Sequence, residues 1–129
     1  VIMSDGECDE GSNWEAALLA GHLKLSNLLV VIDRNRLQSF TDTEQTVRLE
    51  PLADKWSAFG WDVLTVDGHD HAMLEQAMKF SESAEKPRLV IAETTKGKGV
   101  SFMEGDNVWH YRPPSDLDLS RALRELEPK

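Results

Sequence analysis

Two short apolar segments with a helical stretch between them constrain the fold of this chain most. Val1–Met3 ends at one polar turn, and Leu28–Ile32 ends at a second polar turn, Asp33–Leu37. The residues between them repeat at helical spacing, so the three segments predict a β-α-β unit. The strands of such a unit are parallel and joined by a right-handed crossover, so both end at one edge of the sheet. We therefore expect Asp5 and Asn35 to face one crevice.

Asp5 and Asn35 carry the kinds of oxygen ligand that a hard cation prefers. Mg²⁺ takes few protein oxygens and completes its octahedron with phosphate oxygens and water. A carboxylate and an amide oxygen at one sheet edge therefore predict a seat for a metal-bound diphosphate. The structural alternatives are an ordinary turn aspartate and an asparagine that supports a left-handed turn.

A helix is predicted after the first turn, and Ser12 and Glu15 form the expected capping box at its start. Its predicted apolar stripe consists of Trp14, Ala17, Leu18, Gly21 and Leu25. Residues 36–49 are polar and aperiodic, which predicts a surface loop. A short helix follows, in which Pro51 fits the first turn and Gly60 lies just past the end. Its expected buried residues are Leu52, Trp56 and Phe59.

The second half of the chain continues the alternation of strands and helices. Strands are predicted over residues 61–66 and 88–94, and Asp70 is the expected cap of the helix between them. The apolar stripe of that helix consists of Met73, Leu74, Ala77 and Met78. A last amphipathic helix is expected from Ser115, with Leu119, Ala122, Leu123 and Leu126 facing inward.

This order predicts an α/β fold, an open and mainly parallel sheet with helices on both faces. The 129 residues, 40% of them hydrophobic, are enough for one domain with a real core. Residue 1 already belongs to a strand, so we expect residues 1–129 to be a single domain that is incomplete at its N-terminus. The chain is then a fragment or a subunit.

Composition disfavours several classes of partner. The net charge of −9 disfavours binding to nucleic acid or to an anionic membrane. No apolar run approaches the ~20 residues of a membrane span. The one cysteine, Cys8, cannot form an intrachain disulfide, which fits a reducing cytoplasm, and no matched base accompanies it as a nucleophile.

The motifs of the chain, taken in order, resemble transketolase. Ser4-Asp5-Gly6, a gap of about thirty residues and Asn35 look like the thiamine-diphosphate fingerprint. The words DKWSAFGWDVLTVDGHD, TTKGKG and WH extend the resemblance along nearly the whole chain. They match the later part of the family's N-terminal, diphosphate-binding domain. The earlier part of that domain, the pyrimidine-binding domain and the C-terminal domain have no counterpart here.

The resemblance implies roles for individual residues. Asp5 and Asn35 match the Mg²⁺ ligands that bind through side chains, and Leu37 matches the one that binds through its carbonyl oxygen. Gly6 matches the glycine whose N–H meets the diphosphate, where the absence of a Cβ permits close approach. Lys96 matches a lysine that contacts the cofactor.

Three further residues match positions close to catalysis in the family. His110 matches a histidine between the diphosphate and the sugar substrate, where it can donate or relay protons. Glu10 and Glu15 match acidic residues at the dimer interface that link two cofactor sites. Ser4 replaces the usual first glycine of the fingerprint, and Tyr111 stands where many relatives have glycine.

The resemblance implies an enzyme of pentose phosphate metabolism that uses thiamine diphosphate and Mg²⁺. It would transfer a two-carbon ketol unit from a ketose phosphate to an aldose phosphate. The glutamate that activates the cofactor in the family lies outside this chain, so we expect the isolated chain to be inactive. The missing domains would lie on another chain or segment, in a homodimer or a heterotetramer.

Other interpretations of the sequence assign the chain to a different functional class. Another thiamine-diphosphate enzyme, such as deoxyxylulose-phosphate synthase or a 2-oxo acid dehydrogenase first component, is one alternative. A truncated, non-catalytic assembly module is another. A nicotinamide-binding Rossmann domain is rejected, because it needs G-x-G-x-x-G where this turn reads Ser4–Asp9.

Overall fold

A computed structural model of the protein describes residues 1–39, 41–79 and 84–127. Its strands are β1 Ile2–Ser4, β2 Leu29–Arg34, β3 Leu37–Gln38, β4 Thr41–Asp42, β5 Asp62–Asp67 and β6 Arg88–Glu93. Its α-helices are α1 Gly11–His22, α2 Thr43–Thr46, α3 Leu52–Ala58, α4 His71–Met78 and α5 Asp116–Leu126. Two 3-10 helices span Gly6–Asp9 and Asn107–His110. No helix in these described ranges is long and apolar enough to cross a membrane.

The main sheet has the strand order β1-β2-β6-β5, and every neighbouring pair in it is parallel. This confirms the predicted open, mainly parallel α/β sheet. Ser4 lies opposite Asp33, and Glu93 lies opposite both Arg34 and Asp67. The four strands therefore end at one edge, and their following turns lie there together. β3 and β4 form a separate antiparallel hairpin.

The most deeply buried strand is β6, in which four consecutive residues from Leu89 to Ala92 are buried. Strand β2 is less completely buried. There the fully buried side chains alternate, at Val30, Ile32 and Arg34, and the residues between them are half-buried or exposed. The difference arises because β2 has only the short edge strand β1 on one side, whereas β6 lies between two six-residue strands.

A cluster of aromatic side chains packs α1 against the connection between α3 and β5. The rings of Trp56 and Trp61 meet edge to face with centroids 4.8 Å apart, and Trp14 lies 5.9 Å from Trp56. The buried indole N–H of Trp61 donates to the carbonyl oxygen of Ala17 at 2.8 Å. This bond satisfies a polar group that would be costly to bury alone.

The predicted capping box of the first helix is wrong. α1 begins at Gly11 with Glu10 as its N-cap residue, so Ser12 already lies inside the first turn. The reciprocal pair instead lies at the preceding 3-10 helix, where Ser4 N donates to Glu7 Oε2 at 2.6 Å and Glu7 N donates to Ser4 Oγ at 3.3 Å. The S-x-x-E pattern of Ser4 and Glu7 thus stabilises the start of this 3-10 helix.

The predicted apolar stripes are only partly correct. Ala17 is buried as expected, but Leu18 is 55% exposed and Leu25 lies beyond the end of α1. In α4, Asp70 caps the helix as predicted and Ala77 is buried, while Met73 and Met78 are exposed. In α5 the inward prediction is confirmed for Ala122 and wrong for Leu119, Leu123 and Leu126. Polar contacts such as Ser101 N to Glu125 hold α5 instead, together with Arg121 stacked over Phe102.

The segment predicted as a surface loop over 36–49 contains the β3–β4 hairpin and α2. Thr43 and Leu49 within it are buried. Thr43 is buried where it accepts, as Glu44 does, from the buried guanidinium of Arg34, and Leu49 is buried in the hydrophobic core.

Candidate functional site

A cleft of about 380 Å³ lies at the edge where the parallel strands end. Its lining comes from three turns that are distant in sequence and from the second 3-10 helix. The lining residues are Ser4, Gly6, Glu7, Glu10, Asp33, Asn35, Leu37, Gln38, Ser39, Lys96 and His110. The fold thus brings six of the eight sequence-predicted site residues to one cleft, while Asp5 lies buried beside Gly6 and Glu15 lies elsewhere.

The Asp5 carboxylate is fully buried at the end of β1. Its Oδ2 accepts hydrogen bonds from Arg36 N at 2.6 Å and from Arg34 Nη1 at 3.1 Å. Burial raises the pKa of Asp5 above its ordinary value, and these two donors oppose that rise. Its Oδ1 is buried with no hydrogen-bond partner among the described residues. An anionic oxygen in that condition is a fitting ligand for a cation.

Asn35 forms a tight turn at the end of β2, where its side-chain Oδ1 accepts from Leu37 N at 2.9 Å. Arg36 between them has a φ of +65°, which completes the turn. Asn35 therefore supports a turn, as the structural alternative for this residue predicts. It does not compete with ligand binding, because an amide oxygen has a second lone pair.

Gly6 brings the backbone close to the neighbouring hairpin. A Cβ at this position would lie 3.2 Å from Cγ of Gln38. The side chain of Gln38 is held by its donation to Asp9 Oδ2 at 2.8 Å. A side chain at Gly6 would therefore crowd Gln38, and glycine lets the backbone lie close to the hairpin here.

Lys96 lies in the turn after β6, and several backbone contacts restrict the conformation of this turn. Gly97 has a φ of +72°, and Gly105 N donates to the carbonyl oxygen of Lys96 at 2.9 Å. Thr95 N donates to Nε2 of His69 at 2.7 Å, which ties this turn to the one after β5. The half-buried lysine is thereby presented to the cleft from a constrained backbone.

His110 ends the second 3-10 helix and is exposed at the cleft. Its ring meets that of Tyr111 edge to face, with centroids 4.7 Å apart. Asp106 caps the start of this short helix by accepting from Val108 N at 2.9 Å. The imidazole therefore lies at the cleft on a short helix whose start is capped.

The charges that line the cleft set a condition on any anionic ligand. Glu7, Glu10 and Asp33 contribute carboxylates, and Lys96 contributes an ammonium group. A diphosphate would be repelled by this set without a divalent cation. Within the described ranges no three carboxylate, imidazole or thiol groups gather as a metal site. A cation here would depend on Asp5 together with neutral oxygens, which suits Mg²⁺.

Two residues singled out in the sequence lie outside the cleft. Glu15 is exposed on α1 and does not line it. Cys8 is buried, and burial raises the pKa of its thiol to about 12. Burial therefore holds this thiol in its neutral form.

Arg34 is the residue of this site that sequence reasoning missed. It is 1% exposed and bridges Asp5 to Thr43, Glu44 and Glu50. A signal was present, because Arg34 follows Val30 and Ile32 at the two-residue period of the buried face of β2. A charged residue in phase with a buried stripe indicates a buried ion pair.

A parallel α/β sheet with a polar cleft at its carboxyl edge defines the class as an α/β ligand-binding domain that is suited to a cation-anion pair. Residues 1–126 match the family model described as "Transketolase, thiamine diphosphate binding domain". The chain belongs to this transketolase family, as its sequence motifs predict.

Relatives of several kinds are similar to the chain over nearly its whole length. It is 45% identical to an apulose-4-phosphate transketolase subunit of Phocaeicola vulgatus, over 98% of this chain and 45% of that protein. It is 41% identical to a 6-deoxy-6-sulfo-D-fructose transketolase subunit of Clostridium sp., over 98% of this chain and 46% of that protein. The crystal structure of transketolase from Campylobacter jejuni aligns with a TM-score of 0.88 at 31% identity, over 96% of this chain and 20% of that one. The chain thus spans less than half the length of the relatives it matches.

Proposed function

We propose that this chain supplies the metal and diphosphate part of a transketolase active site. The whole enzyme would transfer a two-carbon ketol unit from a ketose phosphate to an aldose phosphate. The single observation that carries the proposal is the buried Asp5 Oδ1, a carboxylate oxygen that has no hydrogen-bond partner among the described residues. It lies beside the cleft that Gly6, Asn35, Leu37, Lys96 and His110 line. Family membership over residues 1–126 supports the choice of cofactor.

Each residue has a separate part in the proposal. Asp5 and Asn35 would hold Mg²⁺ through side-chain oxygens, and Leu37 would do so through its carbonyl oxygen. Gly6 N–H and the Lys96 ammonium would neutralise the diphosphate. Thiamine diphosphate supplies, when bound, the carbanion chemistry that carries a two-carbon unit. His110 would donate or relay a proton to a substrate oxygen that gains charge.

The remaining parts of the site would come from outside these residues. The chain spans 45% of the Phocaeicola relative, whose name describes it as one subunit of an enzyme. We propose that a pyrimidine-binding and a C-terminal domain are supplied by another chain or segment. Residues 1–129 would be one partial domain, and Glu10 and Glu15 would lie where two such assemblies meet. The isolated chain would bind without turning over substrate.

The particular sugar is a separate matter. The names of two relatives refer to apulose-4-phosphate and to 6-deoxy-6-sulfo-D-fructose, although both share over 40% identity with this chain. Because similar domains serve such different sugars, we infer that this domain would hold the cofactor. The choice of sugar then rests with other positions.

Calorimetry on the full-length protein with its partner chains tests the proposal. Thiamine diphosphate should bind only with Mg²⁺ present, and Asp5→Asn should remove the metal-dependent binding because it removes the charge and keeps the shape. Asp67→Asn is the matched control, since Asp67 ends β5 at the same edge, accepts from His69 N at 2.8 Å and does not line the cleft. Equal binding by wild type and Asp5→Asn would overturn the proposal.

Activity separates the competing functions. Transfer of a ketol unit between sugar phosphates by the assembled enzyme would distinguish a transketolase from another thiamine-diphosphate enzyme. Metal-dependent cofactor binding without any turnover in the complete assembly would indicate a non-catalytic module. Binding by this chain alone, compared with binding after its partners are added, determines whether the site is split.

A further inference from the structure

The turns after β5 and β6 are joined to each other just past the ends of the two strands. Gly68 N donates to the carbonyl oxygen of Glu93 at 2.7 Å, as in a parallel ladder. Two residues after Glu93, Thr95 N donates to Nε2 of His69 at 2.7 Å instead of to a carbonyl oxygen. The imidazole of His69 therefore takes the place that a backbone acceptor has between paired strands.

Gly68 allows the two turns to lie this close. A Cβ at this position would clash with Cγ2 of Thr94 and would lie 2.9 Å from the carbonyl oxygen of Glu93. The next residue, His69, is held in its own turn because its backbone N–H donates to Asp67 Oδ1 at 2.8 Å. The ring is thus directed at the chain that leaves β6 by contacts on its own turn.

The bond to His69 restrains the backbone that carries Lys96. Thr95 directly precedes Lys96, which lines the cleft. On the β2 side, Thr94 N donates to the carbonyl oxygen of Arg34 at 3.2 Å, and Gly105 N donates to that of Lys96 at 2.9 Å. These two contacts are made by backbone atoms alone, whereas the contact on the β5 side uses a side chain. A substitution at His69 can therefore remove it selectively.

We propose that His69 is a positioning residue that holds Lys96 at the cleft through the N–H of Thr95, and that it does so only in its neutral form. This inference rests on the proposed function, because it assigns Lys96 to the diphosphate. A neutral imidazole accepts through one nitrogen and donates through the other, whereas a protonated imidazole donates through both. Protonation would set the Nε2–H of His69 against the N–H of Thr95 and release the turn.

Both turns carry charged and titratable groups near the ring. On the side of His69 they are Asp67, Asp70 and His71, and on the side of Thr95 they are Glu93, Lys96, Lys98 and Glu104. Glu104 interacts electrostatically with His69 and lies 3.7 Å from Lys98. Whatever the net effect of these charges, a proton on Nε2 removes the acceptor of Thr95 N. Acid should therefore weaken the restraint on Lys96.

The test is calorimetric titration of the full-length protein and its partner chains with thiamine diphosphate in MgCl₂. At about pH 8, His69→Ala should weaken binding about threefold to tenfold, the effect of one hydrogen bond. His69→Gln should restore binding, because its amide oxygen can accept from Thr95 N and does not titrate. His71→Gln is the matched control and should bind as the wild type does, since His71 is exposed at the start of α4.

Two further readouts distinguish the positioning of Lys96 from a general effect on stability. In a Lys96→Ala background, His69→Ala should have no additional effect on binding, because the residue through which it acts is absent. Between about pH 8 and about pH 6, the wild type should lose affinity relative to His69→Gln. The ratio of their dissociation constants cancels the titration of the cofactor and of His110, which the two proteins share.

The outcomes separate the inference from the proposed function. Failure of the wild type to bind thiamine diphosphate with Mg²⁺ would overturn the proposed function. If the wild type binds, the inference alone is overturned by wild-type affinity in His69→Ala, by an equal loss in the Lys96→Ala background, or by a ratio that does not change with pH. If His69→Ala fails to fold, the pH comparison of the wild type with His69→Gln decides the inference, because both proteins have an acceptor at about pH 8.

Discussion

Gly21 allows α1 to approach the connection between α3 and β5 more closely than any other residue could. A Cβ built on it would lie 1.9 Å from the carbonyl oxygen of Phe59. Real Cβ contacts essentially never fall below 3.0 Å, so Gly21→Ala requires the two backbones to separate by about 1.1 Å. That movement would break the 2.8 Å bond from Trp61 Nε1 to the carbonyl oxygen of Ala17.

The expected magnitude for Gly21→Ala follows from three contributions. Alanine in a helix interior is favoured over glycine by about 1 kcal/mol. Overpacking a dense core costs about 1–3 kcal/mol, and the loss of one buried hydrogen bond costs about 1 kcal/mol more. The net prediction is a loss of about 1–3 kcal/mol in the free energy of unfolding, although helix propensity alone predicts a gain.

Urea denaturation of the full-length protein measures this loss. Gly11→Ala is the control in the same helix, because a Cβ on Gly11 meets nothing within 4 Å. That variant should be as stable as the wild type or slightly more stable. A Gly21→Ala protein with wild-type stability would refute the reasoning, because it would mean that α1 is not seated on the Phe59 carbonyl.

Two further predictions concern the site and its support. Gly97→Ala should weaken thiamine-diphosphate binding and lower the free energy of unfolding more than Gly105→Ala does. Both glycines have positive φ, but a Cβ would meet a backbone oxygen only at Gly97, that of Met103 at 2.6 Å. Equal losses of unfolding free energy would contradict this prediction. A hydrogen bond from Leu52 N lowers the pKa of Glu50 below its ordinary 4.5, and the guanidinium groups of Arg34 and Arg36 lower it further. The ionised Glu50 therefore contributes stability above pH 4.5, and this contribution is lost as the pH falls through the lowered pKa. Glu50→Gln should therefore flatten the fall of the urea midpoint below pH 4.5, and an unchanged slope would count against the pairing.

The sheet and the position of the cleft could be predicted from sequence because both depend on short-range patterns. Apolar segments followed by polar turns locate the strand ends, and parallel pairing brings those ends to one edge. The prediction therefore places Asp5 and Asn35 close to each other for a topological reason. Their chemical role stays a prediction.

Features that depend on the environment of a residue could not be predicted in the same way. The leucines at positions 119, 123 and 126 have ideal helical spacing, yet all three are exposed, because spacing shows which face is apolar and not what covers it. The pattern of Ser12 and Glu15 and that of Ser4 and Glu7 fit the same short capping motif, and only the second forms the reciprocal bonds. Tertiary contacts decide between such equal patterns.

In the proposed function, the buried ion pair of Asp5 and Arg34 would allow a chain with a net charge of −9 to hold an anionic cofactor group. A carboxylate deprived of water is stable only with cations nearby, and Arg34 and the N–H of Arg36 satisfy one of its oxygens. In the proposed function the other oxygen would bind a cation from solution, which would in turn attract phosphate oxygens to an otherwise acidic cleft. A cation bound at Asp5 would then offset the repulsion between a diphosphate and the carboxylates of Glu7, Glu10 and Asp33 that line the cleft.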